Sequence, residues 1–371
     1  MWSTHSRKGS KLLRMLKNKV SLYYKMSGGI AQLVAVGAQD AHLVGAPEVS
    51  FFRSTYKRHT NFSQTVERQV IQGNVSNGGM STVRFERKGD LLNYVYLAPH
   101  DSTGPDTEPI PDWTALISKV ELLIGGQVVD TQDSTYSTLI SPTLSATSYS
   151  KSVAAGIYDG AGTAKFYPLR FSFCENWQSA LPLVALQYHD VEIRITWGSS
   201  AASHSWNVYA NYAYLDTDER AMFSSGSQNM LMTQVQKAIG SKSKIQELNF
   251  NHPIKYLAAG ATNLNILNKA NKLKLQINGT DIADYKFADP HFTSVPLYYH
   301  TTNSAVRGAQ LFFIPFCLDA AKLQPTGTLN FSRLDSARIQ STAQDFNHDI
   351  YAVNYNVLRI ENGMGGLLYS N

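Results

Sequence analysis

The chain is poor in cysteine, with Cys174 and Cys317 alone among 371 residues. Two thiols build neither a disulfide framework nor a four-thiolate zinc site, and they suit a reducing compartment. Long apolar runs are missing too: the longest stretches, such as 91–98 and 311–318, fall far short of the roughly 20 residues of a membrane-spanning helix. No Gly-x-x-x-x-Gly-Lys-Ser/Thr, His-Glu-x-x-His, Gly-x-Ser-x-Gly or Gly-x-Gly-x-x-Gly pattern occurs, so nothing nominates a catalytic residue, a cofactor site or a metal site. Acidic residues are absent from residues 1–25, which carry Arg7, Lys8, Lys11, Arg14, Lys17, Lys19 and Lys25. The formal charge of +5 therefore hides a division. Taking these seven from 33 basic residues leaves 26 against 28 acidic ones in the remainder, a net −2. So balanced a body lacks the clustered positive field of a nucleic-acid surface, and no direct nucleic-acid binding is expected.

What is present is a globular composition, 43% hydrophobic and 11% aromatic with only 16% charged residues, which excludes disorder for most of the chain. From residue 66 the sequence breaks into short runs rich in Val, Ile, Tyr, Phe and Thr, among them Val66–Ile71, Leu91–Leu97, Lys119–Ile124, Val191–Trp197, Val208–Leu215, Lys272–Ile277, Leu311–Phe316, Ala337–Ser341 and Asn354–Ile360. Such runs, punctuated by Gly, Asn, Asp, Ser and Pro, read as strands. Short-helix candidates are Asp112–Ser118 and Glu219–Met232. The expected class is all-β, in sandwiches or jelly rolls.

An internal repeat organises these strands. Lys119–Asp130 and Lys272–Ala283 both read strand, turn, strand, with Gly125-Gly126 and Asn278-Gly279 supplying the positive φ of a tight hairpin. Downstream, Phe171–Glu175 matches Ile314–Leu318, Asp190–Ile195 matches Asp335–Gln340, and Tyr212–Leu215 matches Tyr355–Leu358. Landmarks in one order imply two tandem copies of one β-domain, over 63–217 and 231–371, joined by a linker at 218–230. Matched places in separate domains keep Cys174 and Cys317 apart, so both are expected as small buried apolar groups rather than a disulfide.

Other clusters yield little chemistry. Asp190 and Glu192 share a strand face while His189 points the other way, so the three cannot converge on a metal. Asp216, Asp218 and Glu219 read as a solvated or salt-bridged turn. Gly363, Gly365 and Gly366 lack a following helix to make a phosphate loop and read as a flexible C-terminal segment. Four Asn-x-Ser/Thr triplets occur, at Asn61, Asn74, Asn278 and Asn330; Asn278, in a predicted turn, is the most exposed candidate glycosylation acceptor. Leu12, Leu13, Leu16 and Val20 give the basic arm a helical apolar stripe. That stripe suits a membrane-surface or partner-groove helix, while a solvated extension, or a stretch preceding a start at Met26, are the other readings.

Specific segments carry a family resemblance. Met26–Asp40, Phe51-Phe52, Tyr56–Phe62, Gly89-Asp90, Leu181–His189, Asn249–Pro253, Asn330–Arg333, Tyr351–Arg359 and Gly363–Gly366 resemble, in collinear order, the major capsid protein of nucleocytoplasmic large DNA viruses, the phycodnaviruses above all. The resemblance implies a double jelly roll, each copy an eight-stranded antiparallel sandwich, and a non-enzymatic, structural role: homotrimeric, pseudo-hexagonal capsomers tiling an icosahedral shell around an internal membrane. It places the protein in the virion, with assembly in the host cytoplasm. Residues 26–62 would be an N-terminal segment under the jelly rolls, with Phe51, Phe52, Tyr56 and Arg58 as capsomer or inner-face contacts. Implied partners are the protein itself, neighbouring capsomers and minor capsid proteins, and the basic extension 1–25 could reach the inner membrane. Two alternatives stand beside this reading. One is a minor capsid paralogue at special lattice positions. The other is a carbohydrate-binding jelly-roll module using Trp113, Trp177, Trp197 and Trp206 as sugar platforms.

Overall fold

The computed structural model describes residues 30, 33–100, 110, 113–144, 165–301 and 310–370. Chain contacts divide it into a unit ending at His59 and one beginning at Thr60. In the first, a four-residue helix spans Ala41–Val44. Among the described residues the second holds 21 strands, every pair antiparallel.

The N-terminal sandwich contains β1 (Phe62–Gln69), β2 (Ile71–Gln72), β3 (Met80–Arg84), β4 (Leu91–His100), β5 (Ile117–Ile124), β6 (Gln127–Asp133), β7 (Tyr167–Pro168), β8 (Leu181–Pro182), β9 (Val191–Trp197) and β10 (Ser205–Leu215). One sheet runs β1-β10-β4-β7 and the other β2-β3-β9-β5-β6. Alternation sorts the side chains: β9 buries Val191, Ile193, Ile195 and Trp197 and leaves Glu192, Arg194 and Thr196 half-covered, the period-two pattern of a strand with one face on the core.

The C-terminal sandwich repeats this order with β11 (Gln228–Ala238), β12 (Ile245–Glu247), β13 (Pro253–Ala261), β14 (Lys272–Ile277), β15 (Thr280–Asp281), β16 (Lys286–Phe287), β17 (Gln310–Pro315), β18 (Leu329–Asn330), β19 (Ala337–Ser341), β20 (Ile350–Glu361) and β21 (Met364–Leu367). Its sheets run β11-β20-β13-β17 and β12-β19-β14-β15. Both expected hairpins form, Gly125 and Gly126 at φ +59° and +82° and Asn278 and Gly279 at +49° and +77°.

Pairing registers fix which residues correspond. Ile124 pairs with Gln127 and Val191, as Ile277 pairs with Thr280 and Ala337. Val191 therefore matches Ala337, one residue away from the sequence match. The β4/β10 and β13/β20 pairings both carry a bulge, between Ala210 and Tyr212 in one and between Ile254 and Tyr256 in the other. Aligning the bulges places the buried Ala210 on Ala352, Tyr209 on Tyr351, Tyr94 on Tyr256 and Asn93 on Lys255, and it matches Tyr212 with Asn354 rather than Tyr355. Identical letters drew the sequence match one residue off. A slip of one flips a strand's faces, so burial and not identity sets the register.

The cysteines obey the repeat. Cys174 Sγ lies 3.9 Å from the Asn93 carbonyl oxygen, and Phe316, next to Cys317, donates its N–H to the Lys255 carbonyl at 3.0 Å. Both thiols are free, and burial pushes both above the ordinary thiol range. Helix expectations fare less well. Trp113–Ala115 is a single 3-10 turn before β5, and the second helix covers only Thr217–Ser224. Asp216 caps its start through the Thr217 N–H, at 2.7 Å, and Gly226 at φ +101° follows its end. Beyond it, Met230 and Met232 alternate with exposed neighbours in β11.

Candidate assembly interface

The two sandwiches share their apolar interior. Met232, Leu358 and Ile360, from β11 and β20, belong to the core cluster of the N-terminal sandwich with Leu122, Phe171 and Leu181. The even-numbered side of β20 thus serves two cores in turn, Ile350 and Ala352 in its own and Leu358 and Ile360 in the other. A further cluster joins the helical segment after β6 (Tyr136, Ile140, Leu144) to the outward face of the C-terminal sandwich (Tyr256, Ala258, Phe313, Tyr351, Val353). Gly260 admits this segment closely: a Cβ there would stand 3.0 Å from Ile140 and 3.4 Å from Leu139.

Two aspartates from β6 pin the junction. Asp130 accepts the Val235 N–H of β11 at 2.9 Å, the Thr131 N–H at 2.9 Å and the Gln132 amide at 2.8 Å. Its burial outweighs these bonds and raises its carboxyl from 3.8 to about 7. Asp133 accepts the Tyr351 hydroxyl at 2.6 Å and the Lys237 ammonium at 3.0 Å, and caps the Tyr136 N–H at 3.0 Å. Burial, then the nearby Asp133 charge, pushes the Tyr351 hydroxyl far above its ordinary value. Nearby, Asn354 and Asn356 both donate to the Gln234 side chain, at 3.3 and 2.9 Å, so these buried amides satisfy one another.

The sequence-nominated residues lie elsewhere. Phe51, Phe52 and Tyr56 are 92%, 100% and 85% exposed and Arg58 is also exposed, all in the unit that ends at His59. Asn278 sits exposed in its turn, where its side-chain oxygen accepts the Asp335 and Ser336 N–H groups at 2.9 and 3.1 Å. His189 is no ligand: its Nδ1 lies 2.8 Å from the Gly365 carbonyl oxygen, while Asp190 pairs with Arg84 at 2.7 Å. Among the described residues no His, Cys, Asp and Glu group could hold a metal. The Gly363–Gly366 segment is not a loose tail. It forms β21 on β20, and Tyr188 donates its N–H to Gly363 at 2.9 Å. Trp113, Trp197 and Trp206 are packed together inside the N-terminal sandwich, so of these four tryptophans Trp177 alone, 60% exposed, could meet a sugar. Sequence reasoning missed Asp133, Lys237 and Tyr351. The cue lay in the repeat, where a cation pairs across strands with a tyrosine in both copies, Arg68 with Tyr209 and Lys237 with Tyr351.

Among the described residues, one corresponding surface is only half-covered. The outward face of β1, β10 and β4 bears half-buried Tyr94, Tyr96 and Tyr209, with Tyr94 edge-on to Trp177 at 5.9 Å. Below them an apolar groove of about 310 Å³ is lined by Phe62, Leu91, Trp177, Ala213 and Leu215.

Two antiparallel jelly rolls fused through a common core, with one sheet face covered and its counterpart only half-covered among the described residues, define a double jelly-roll capsid protein. The comparisons agree. Residues 50–218 match the family model described as major capsid protein N-terminus, and residues 258–366 match that for the large eukaryotic DNA virus major capsid protein. The major capsid protein of Pyramimonas orientalis virus is 35% identical over 93% of this chain and all of the relative. That of Paramecium bursaria Chlorella virus 1 is 31% identical with the same coverage. The VP54 structure of the latter virus superposes with a TM-score of 0.71 at 26% identity, covering 87% of this chain and all of VP54. The chain belongs to the major capsid proteins of large eukaryotic DNA viruses, and its role is structural, in the virion shell.

Proposed function

We propose that the chain acts as a homotrimeric, pseudo-hexagonal capsomer that tiles an icosahedral shell around an internal membrane. The carrying observation is the head-to-tail junction within the chain, where the β6 side of one sandwich covers the β11-β20-β13 face of the next. Repeating that contact between chains closes a ring of six similar sandwiches from three chains. The near-neutral charge of residues 26–371 supports dense tiling, since strongly charged copies would repel. In this reading residues 63–217 and 231–371 are the two building blocks joined by 218–230. Residues 26–62, with Phe51, Phe52, Tyr56 and Arg58, contact the shell's inner components, minor capsid proteins among them. Residues 1–25 reach anionic lipid, and Asn278 is free to carry a glycan on its amide nitrogen. Light scattering on the purified full-length protein should give the mass of three chains, about three times 41.1 kDa. A mass that stays at one chain across the micromolar range would refute the capsomer.

A further inference from the structure

Building on that trimer reading, we infer that the bare aromatic face of the N-terminal sandwich is the docking site for a second copy of this chain. Its occupant is the segment after β16, centred on the helix Ser294–His300.

The argument rests on the internal repeat. The segment after β6 and the segment after β16 hold corresponding places, because Lys119 and Lys272, each six residues before its hairpin turn at Gly125 or Asn278, pair with Asp133 and Phe287. The first segment covers Tyr256 and Tyr351 of its own chain, and burial follows on both sides: Tyr136 is 6% exposed, Ile140 and Leu144 are 0%, and both covered tyrosines are 3%. The second segment and the matching face differ from this in one respect. Tyr298 and Tyr299 of the helix are 79% and 73% exposed, and Tyr94 and Tyr209, which correspond to Tyr256 and Tyr351, are only half-buried. One chain therefore carries both halves of the contact, unable to meet each other and ready to meet another copy.

Polar groups repeat the logic. In the covered copy Lys237 and Tyr351, cross-strand partners, both bind Asp133. In the bare copy Arg68 and Tyr209 are cross-strand partners in the corresponding place, and among the described residues no ion pair reaches Arg68. Asp289, exposed two residues beyond the position that matches Asp133, accepts only the Thr293 hydroxyl at 2.6 Å. Arg68 of one copy and Asp289 of the next would restore the missing lock, and an apolar face carrying one such pair has the anatomy of a specific interface.

The test uses the full-length chain and four variants: Tyr298→Ser with Tyr299→Ser, Arg68→Glu, Asp289→Arg, and the combined Arg68→Glu/Asp289→Arg. Light scattering across concentration reads assembly, and far-ultraviolet circular dichroism reads the fold. These side chains are exposed, so each variant keeps the wild-type spectrum. The tyrosine double variant and each single charge reversal raise the concentration for half-assembly at least about tenfold, and the combined reversal recovers most of it. If wild type forms trimers and the variants assemble equally well, this assignment is wrong while the trimer stands. If single reversals weaken assembly and the combined variant recovers nothing, the Arg68–Asp289 pairing is overturned. A monomeric wild type removes the capsomer itself.

Discussion

Asp130 shows what a single residue contributes at the junction. Its carboxyl titrates near 3.8 when unfolded and at about 7 when folded, so between those values the folded chain holds a proton that the unfolded chain has released. Stability from this group is fully present below pH 3.8 and lost as pH rises to about 7. The span corresponds to roughly 4 kcal/mol. Urea unfolding of wild type and Asp130→Asn from pH 4 to 8 should show the variant gaining on wild type by about that amount up to pH 7, with no further change above. A pH-independent difference would contradict the assignment. None of this was legible in the sequence, where Asp130 is merely the last residue of a hairpin repeat; its partner Val235 is 105 positions away.

Among the elements, hairpins and alternating strands were readable because their causes are local. Positive φ at Gly125-Gly126 and Asn278-Gly279 and the period-two burial of β9 and β19 need only neighbouring residues. Other elements take their identity from distant partners. β11 carries Met230, Leu231 and Met232, which read equally as a helix face, until the other sandwich's core claims Met232. β13 buries seven consecutive residues, Ile254–Gly260, and so shows no alternation at all. β21 looked like a loose glycine tail, yet its glycines mark close approach. A Cβ on Gly365 would lie 2.6 Å from Leu186 Cδ2 and 3.2 Å from Ile124, whereas one on Gly366 meets only Gln127, at 3.7 Å. Gly365→Val should therefore cost about 1–3 kcal/mol in chemical denaturation, and Gly366→Ala should cost well under 1. Equal effects would show that β21 is not packed against the N-terminal sandwich.

For the whole molecule, charge separates two roles. The seven basic residues of 1–25 face no acidic neighbour in sequence, while the remainder carries net −2. Each Lys or Arg near an anionic bilayer is worth about 1 kcal/mol, so in the proposed membrane reading the arm supplies the attraction. Removing residues 1–25 should abolish co-sedimentation with phosphatidylserine-containing vesicles and leave the trimer intact. Retained vesicle binding would place the lipid contact elsewhere. The capsid fold was legible through the repeat and the resemblance, but the assembly face was not. An exposed Tyr298 and a buried Tyr136 are the same letter, and only the register of two sheets puts their segments in corresponding places.

The shared core also orders events in time. Residues of the N-terminal sandwich leave the ribosome first, yet their interior is closed by Met232, Leu358 and Ile360, the last of these 145 residues beyond the end of β10. A nascent or truncated chain therefore holds an unplugged first domain. Truncation before Leu358 should therefore destabilise both sandwiches rather than the second alone.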